Sequence, residues 1–453
     1  SDVDVLVVSS SATVNAANIK GFAADAGTKN LGGTANLSTD NGGRTINMSN
    51  ANTGSFNITG GDLGDILTGG GGEDVIKGGK AADTLKGEGG DDTLQGEAGA
   101  DILTGGLGAD TFKVDSGSDI IIDLGGVGGS QTDVLIVSGS ATATAANIVS
   151  FTANTSTRND GTATLTAKAS TNATINVGAS AAGLYTINGN TGNDILTGGS
   201  GNDIISGGDG VDTIVGGGGD DDITGGVGDD NFTGGSGNDT FNVNNGTDTI
   251  TDLSDGDILK ITSGNTANAT NIAGFTATSA TINNSDVAKG KLIADNSGVS
   301  IDLGLVASGN GFSITGGTKG DTLKGSSGDD IILGGNEADT LRGNGGDDSL
   351  TGGAGNDTMT GNAGADTFNV DSGTDSIVDL TTNDILVVTG SATANATGIT
   401  GFVETNGTKN TSSGAANLSG ANTNITIDMT NALSGNFSIT GGTGGDALKG
   451  GSG

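Results

Sequence analysis

The chain has 453 residues, 90 of them glycine, with no proline, cysteine, histidine or tryptophan and aromatics at only 3%. An ordinary three-dimensional core would be thin at that composition, so a narrow core repeated along an axis, and a long shape, are expected. The net charge of −36 argues against nucleic acid or an anionic membrane surface as a partner, and the missing cysteine and histidine remove disulfides, thiolate nucleophiles and the usual zinc ligands.

Residues 1–59 read as a spacer of short strands joined by polar loops, including Asp4-Val5-Leu6-Val7-Val8, Thr45-Ile46-Asn47-Met48 and Phe56-Asn57-Ile58-Thr59. Over 60–122 an aspartate then returns every nine residues, at Asp65, Asp74, Asp83, Asp92, Asp101, Asp110 and Asp119. Two places after each stands a large apolar residue (Leu67, Ile76, Leu85, Leu94, Leu103, Phe112, Ile121), and glycine clusters come before it. The unit is Gly-Gly-x-Gly-x-Asp-x-(large apolar)-x. A second spacer, 123–188, opens on Asp133-Val134-Leu135-Ile136-Val137.

The second array, 189–251, carries Asp194, Asp203, Asp212, Asp221, Asp230, Asp239 and Asp248 in the same phase. A spacer at 252–315 leads to a third array at 316–378, with Asp321, Asp330, Asp339, Asp348, Asp357, Asp366 and Asp375. After a last spacer at 379–440, Asp446 opens the start of a fourth array over 441–453. The leading aspartates Asp65, Asp194, Asp321 and Asp446 lie 129, 127 and 125 residues apart, so one module is a spacer plus an array.

Within the arrays the residue between aspartate and apolar position is Ile, Val or Thr in 17 of 21 repeats. Such β-branched residues favour a pleated backbone, and this glycine density would cost a helix about 1 kcal/mol per residue. Each unit is therefore a glycine-rich turn plus a very short strand. The spacers keep the inward phase, since Ile58, Ile187, Ile314 and Ile439 stand nine residues before the first apolar residue of each array. Asp257 and Asp384 likewise follow Asp248 and Asp375 by nine, while Asp133 follows Asp119 by fourteen, a slip that a five-residue insertion around 125–129 would explain. The expected fold is all-β, a continuous β-solenoid in which arrays alternate with β-rich spacers that continue the coil; separate β-sandwich spacers are the alternative. Spacer threonine, serine and asparagine are expected on outward strand faces, and the isolated Glu337 and Glu404 as surface charges.

Glycine lets a turn enter positive-φ conformations until several carbonyl oxygens point to one place, and the aspartate adds a charged oxygen. Six to eight hard oxygens in a flexible geometry suit calcium, whereas magnesium demands a tighter octahedron. The arrays resemble the RTX family of calcium-binding nonapeptide repeats. That resemblance implies a right-handed parallel β-roll, or β-solenoid, in which each nonapeptide makes half a turn and calcium sits between turns two repeats apart. Its ligands would be turn carbonyls and the ladder aspartates, with Asp65, Asp83, Asp101 and Asp119 in one ion column and Asp74, Asp92 and Asp110 in the other. Some units depart from the motif: Leu63 and Ala81 replace a glycine, and the seventh repeats begin at Val114, Val243 and Val370. The turns of Asp119, Asp248 and Asp375 are accordingly expected to bind weakly or to cap.

Roughly five ions per array would bring on the order of +30 in all, close to the excess negative charge. Carboxylates stacked about 4.8 Å apart repel by roughly 1 kcal/mol in water and about 3 at an effective dielectric of 20, so folding and calcium loading should be one event. No catalytic constellation emerges, no apolar run approaches a membrane span, and no starting methionine or signal peptide is seen, so the chain reads as a processed form or part of something longer. The favoured function is an extracellular, secreted, calcium-binding structural protein that associates with itself head to tail or laterally in a surface layer, sheath or filament. The alternatives are the calcium-binding and secretion region of a larger exported enzyme or toxin, as the family resemblance suggests, or a repeat adhesin.

Overall fold

The computed structural model describes residues 5–125, 132–180, 183–286, 290–404, 407–422 and 424–451. Among them every regular element is a strand, two to seven residues long, and the strand pairings are parallel. The chain divides into two compact units, Ser1–Gly228 with Gly234–Gly237, and Asp229–Thr233 with Asn238–Gly453.

In the first unit the strands stack at a fixed offset. Ile66–Thr68 pairs with Thr84–Gly89, which pairs with Ile102–Leu107, each step advancing eighteen residues, or two repeats. The intervening strands, Val75–Lys80, Thr93–Gly99 and Thr111–Val114, stack on one another in the same way. Each nonapeptide is thus half a coil of a β-solenoid. The register aligns the apolar residue two places after each aspartate into inward columns, Leu67 with Leu85, Leu103 and Ile121 on one side and Ile76 with Leu94 and Phe112 on the other, all at most 1% exposed. The residue before it points outward, which leaves Ile66, Ile102 and Ile120 on the surface.

The columns run on into the spacers. Ile46 pairs with Leu67 below the first array, and Ile121 pairs with Ala145 above it, continuing through Leu165 and Ile187 to Ile205. Spacer coils differ from array coils in having longer connections; Ile121 to Ala145 spans 24 residues where an array step spans 18. Direct parallel pairing of spacer and array strands is the continuous-coil arrangement and excludes separate sandwiches for these spacers.

The second unit repeats the scheme. Ile314, Ile332, Leu350, Phe368 and Leu386 form one column, and Ile301, Leu323, Leu341, Met359, Ile377, Ala396, Leu418 and Ile439 form another.

Two expectations about the spacers are corrected. Each spacer holds a Thr-x-Asn pair that is buried, not outward: Thr28 and Asn30, Thr157 and Asn159, Thr281 and Asn283, Thr408 and Asn410. The asparagine amide donates to a backbone carbonyl of the following coil, from Asn30 to Ser55, Asn159 to Leu184, Asn283 to Gly311 and Asn410 to Asn436. A turn that lacks an aspartate still has backbone groups to satisfy inside the coil, and the asparagine does so without charge. Glu404 is not a surface charge either. It is 4% exposed and accepts the Asn431 amide, because it occupies the place of the buried Ala24, Ala153 and Ala277 in the sister spacers. Glu337 is exposed as expected. The proposed insertion at 125–129 falls, apart from Gly125, outside the described residues.

Since each coil leans only on its neighbours, one truncated core residue should be felt locally. Leu94→Ala is expected to lower stability by about 2–5 kcal/mol, read as a lower urea midpoint at saturating calcium.

Candidate metal centre

Every ladder aspartate of the three arrays is at most 3% exposed, and the main chain organises each in the same way. One carboxylate oxygen, Oδ1, accepts the backbone N–H of the aspartate one coil earlier. Asp65 donates to Asp83 at 2.6 Å, Asp83 to Asp101 at 2.8 Å and Asp101 to Asp119 at 3.1 Å. On the other side Asp74 donates to Asp92 at 2.7 Å and Asp92 to Asp110 at 2.8 Å. The third array repeats this from Asp321 through Asp339 and Asp357 to Asp375, and from Asp330 through Asp348 to Asp366. In the second array Asp194 donates to Asp212 and Asp203 to Asp221 within the first unit, and Asp230 to Asp248 within the second. Asp446 stands apart: it accepts the Ile425 amide at 3.2 Å but is only half-buried.

The ladder is longer than the nonapeptide motif at both ends. Below, the leading aspartates accept spacer amides, from Arg44 to Asp65, Phe56 to Asp74, Val299 to Asp321 and Phe312 to Asp330. Above, Asp133, Asp257 and Asp384 form an eighth rung, accepting the amides of Asp110, Asp239 and Asp366. Asp110 and Asp133 are 23 residues apart, not 18, so the five-residue slip is absorbed without losing the rung. The phase of Asp257 and Asp384 was the signal for these residues, though the motif itself ends one repeat earlier.

A second row was not anticipated. Where the residue just before the ladder aspartate is Asp or Asn, its side chain accepts an amide from the next coil, as from Ala109 to Asp91, Asp220 to Asn202, Asp347 to Asp329 and Thr374 to Asn356. This row runs opposite to the first, since here the earlier coil accepts. The Asn-Asp and Asp-Asp pairs in the sequence were its signal.

The other carboxylate oxygen, Oδ2, decides the chemistry. In Asp83, Asp92, Asp101, Asp119, Asp194, Asp339, Asp348, Asp357 and Asp375 it is buried and has no hydrogen-bond partner. Burying such an oxygen unpaired costs several kcal/mol. Carbonyl oxygens approach the same place. A Cβ added to Gly87 would collide with Oδ2 of Asp92 and the carbonyl oxygen of Gly105, and one on Gly78 or Gly334 would meet the same pair of groups from its own turn and the next coil. At Gly96 the collision would be with Oδ2 of both Asp101 and Asp119. Oxygens of successive coils therefore converge where only glycine leaves room. Among the described residues no three acidic side chains cluster as a metal site, so an ion here is held by one or two carboxylates and main-chain carbonyls. An all-oxygen, low-charge set of this kind fits calcium.

Burial, followed by repulsion along the column, pushes the carboxyls of Asp92 and Asp348 up to about 8. Burial likewise carries Asp110, Asp119 and Asp375 to about 7, and Asp83 and Asp339 to about 6. Without a cation these groups resist ionisation, so proton and cation compete for the same oxygens.

The geometry agrees with what the comparisons found. The model of the RTX calcium-binding nonapeptide repeat matches residues 59–94, 86–121, 186–214, 215–250, 313–341 and 342–377. No curated protein matches the chain.

The raised values set the pH response of the metal-free chain. Folded values of about 6 to 8 lie above the ordinary 3.8, so stability is fully present below about pH 4 and is lost as pH rises through 6 to 8. Circular dichroism in calcium-stripped buffer should show more β structure near pH 4 than at pH 8, and saturating calcium should abolish the difference.

Proposed function

The chain carries RTX calcium-binding nonapeptide repeats in three arrays, and from that premise we propose an extracellular structural role: secreted, folded by calcium, and assembled into a surface layer, sheath or filament. The observation that carries the calcium-folding part is the row of buried Oδ2 atoms with no partner. Such rows make the metal-free arrays self-repelling and the loaded ones neutral, at roughly five ions per array against a net charge of −36. Export in a calcium-poor, unfolded state and folding outside the cell is the sequence of events that suits this chemistry. Assembly is supported by modularity: spacer and array strands pair directly, so one coil can continue from module to module, and a self-contact that does not close builds a fibre. No catalytic role is proposed.

An adhesin is the second reading. One outer face favours it, where Thr144, Thr164 and Thr186 stand in register beside the paired Thr142 and Thr162. Such a row offers regularly spaced hydroxyl and methyl groups to a repetitive ligand.

Removing calcium with EGTA at neutral pH should abolish most of the β signal in circular dichroism, and adding it back should restore it; an unchanged signal would sink the coupled-folding claim. Electron microscopy of the calcium-loaded protein should show fibres or sheets. Dispersed particles at high concentration would count against assembly and leave the adhesin.

A further inference from the structure

The repeats share one motif, yet over the first six turns of an array the second position takes two conformations, and they sort with whether the turn's own amide bonds the carboxylate. In the first two turns of the first and third arrays that residue, Gly61, Gly70, Gly317 or Ser326, lacks a positive φ. Its N–H donates to Oδ2 of its own aspartate: Gly61 to Asp65 at 2.7 Å, Gly70 to Asp74 at 2.6 Å, Gly317 to Asp321 at 2.7 Å and Ser326 to Asp330 at 2.6 Å. Ser326 adds its hydroxyl to the same carboxylate.

In turns three to six the backbone at this position is turned over. Gly79, Glu88, Glu97 and Gly106 have φ of 110, 76, 68 and 109°, and Gly335, Asn344, Gly353 and Asn362 have 116, 83, 94 and 73°. These residues now pair with the equivalent position of the next coil, Gly79 with Glu97, Glu88 with Gly106, Gly335 with Gly353 and Asn344 with Asn362. Their amides have left the carboxylate, and in turns three to five Oδ2 of Asp83, Asp92, Asp101, Asp339, Asp348 and Asp357 is orphaned as a result; in turn six the amides of Gly106 and Asn362 go instead to the carboxylates of Asp123 and Asp379. Glutamate and asparagine holding a left-handed conformation against its steric cost show that the turned geometry is imposed and not a by-product of glycine.

The eighth rung returns to the sealed state. Oδ2 of Asp133 accepts the Gly125 amide at 2.8 Å, while Asp257 takes the amide and hydroxyl of Ser254 and Asp384 those of Thr381.

Resting on the calcium reading above, we propose that the peptide orientation at the second turn position divides each array into metal-free ends and a metal-loaded interior. Rungs one, two and eight of the first and third arrays are caps whose carboxylates are already satisfied by amide protons standing where a cation would. Calcium enters only at turns three to seven; in turns three to six the residue at the second position is the positioning residue that opens the site, whereas in turn seven Asp115 and Asp371 lack a positive φ and Oδ2 of Asp119 and Asp375 is without a partner all the same. The second array starts earlier on one side: Asn190 has φ of 75° and Oδ2 of Asp194 is without a partner, whereas Gly199 still seals Asp203.

The test counts calcium per chain, by elemental analysis after equilibrium dialysis at saturating calcium, in the wild type and in Asp74→Asn, Asp330→Asn, Asp92→Asn and Asp348→Asn. Circular dichroism in the same buffer checks the fold; Asp348→Asn repeats Asp92→Asn in a separate array should one of them fail to fold. The two rung-two variants should keep the wild-type count, and the two rung-four variants should each lose at least one ion. Equal losses from rungs two and four, or no loss from rung four, would overturn the division of the array. A wild-type chain with no bound calcium would instead overturn the calcium reading itself.

Discussion

The structure depends on a buried carboxylate whose two oxygens have different owners. Oδ1 belongs to the main chain: it takes the amide of the coil before it and fixes the rise from one coil to the next. That bond pulls the charged group inside, where Oδ2 comes with it and faces either an amide or nothing the protein supplies. Holding coils together by a charge creates an electrostatic cost of the same periodicity, and cations would remove that cost where Oδ2 has no partner. Stability and calcium dependence are thus two ends of one side chain.

Spacers and arrays answer the same geometric problem in different chemistry. Both must satisfy a turn that curls into the coil interior. The spacers use the neutral Thr-x-Asn pair, whose amide bridges to the next coil, and their connections vary in length. The arrays use aspartate, hold a strict eighteen-residue step and carry the rows of orphaned oxygens. Alternating the two places self-sufficient coils between stretches that need an external ion, and the sealed rungs are the joints between them.

Much of this was legible in the sequence, for a physical reason. A β-solenoid places equivalent residues at equivalent points, so the nine-residue period of Asp65 to Asp119 and the apolar column from Leu67 to Ile121 could be read directly as register. The phase also carried into the spacers. What could not be read was anything set by peptide orientation: Gly61 and Gly79 are the same residue in the same motif position, yet one donates to its aspartate and the other turns away. Burial in the spacers was hidden for a related reason. Thr28, Asn30 and Glu404 are polar types that lie outward by default, and only the surrounding coil shows that they fill interior positions.

The two rows of side-chain bonds bear on how such a coil carries force. Between the same pair of coils, the ladder aspartate of the later one receives an amide from the earlier, and the Asp or Asn before it in the earlier one receives an amide from the later. The bonds run antiparallel to one another across a single gap. Where both rows are present, separating two coils breaks both kinds of bond in addition to the backbone pairing of the strands. Where the second row is missing, as beside Ala82 and Ala100, only the aspartate ladder and the backbone pairing join the coils, and those are the places at which a stretched array would part first.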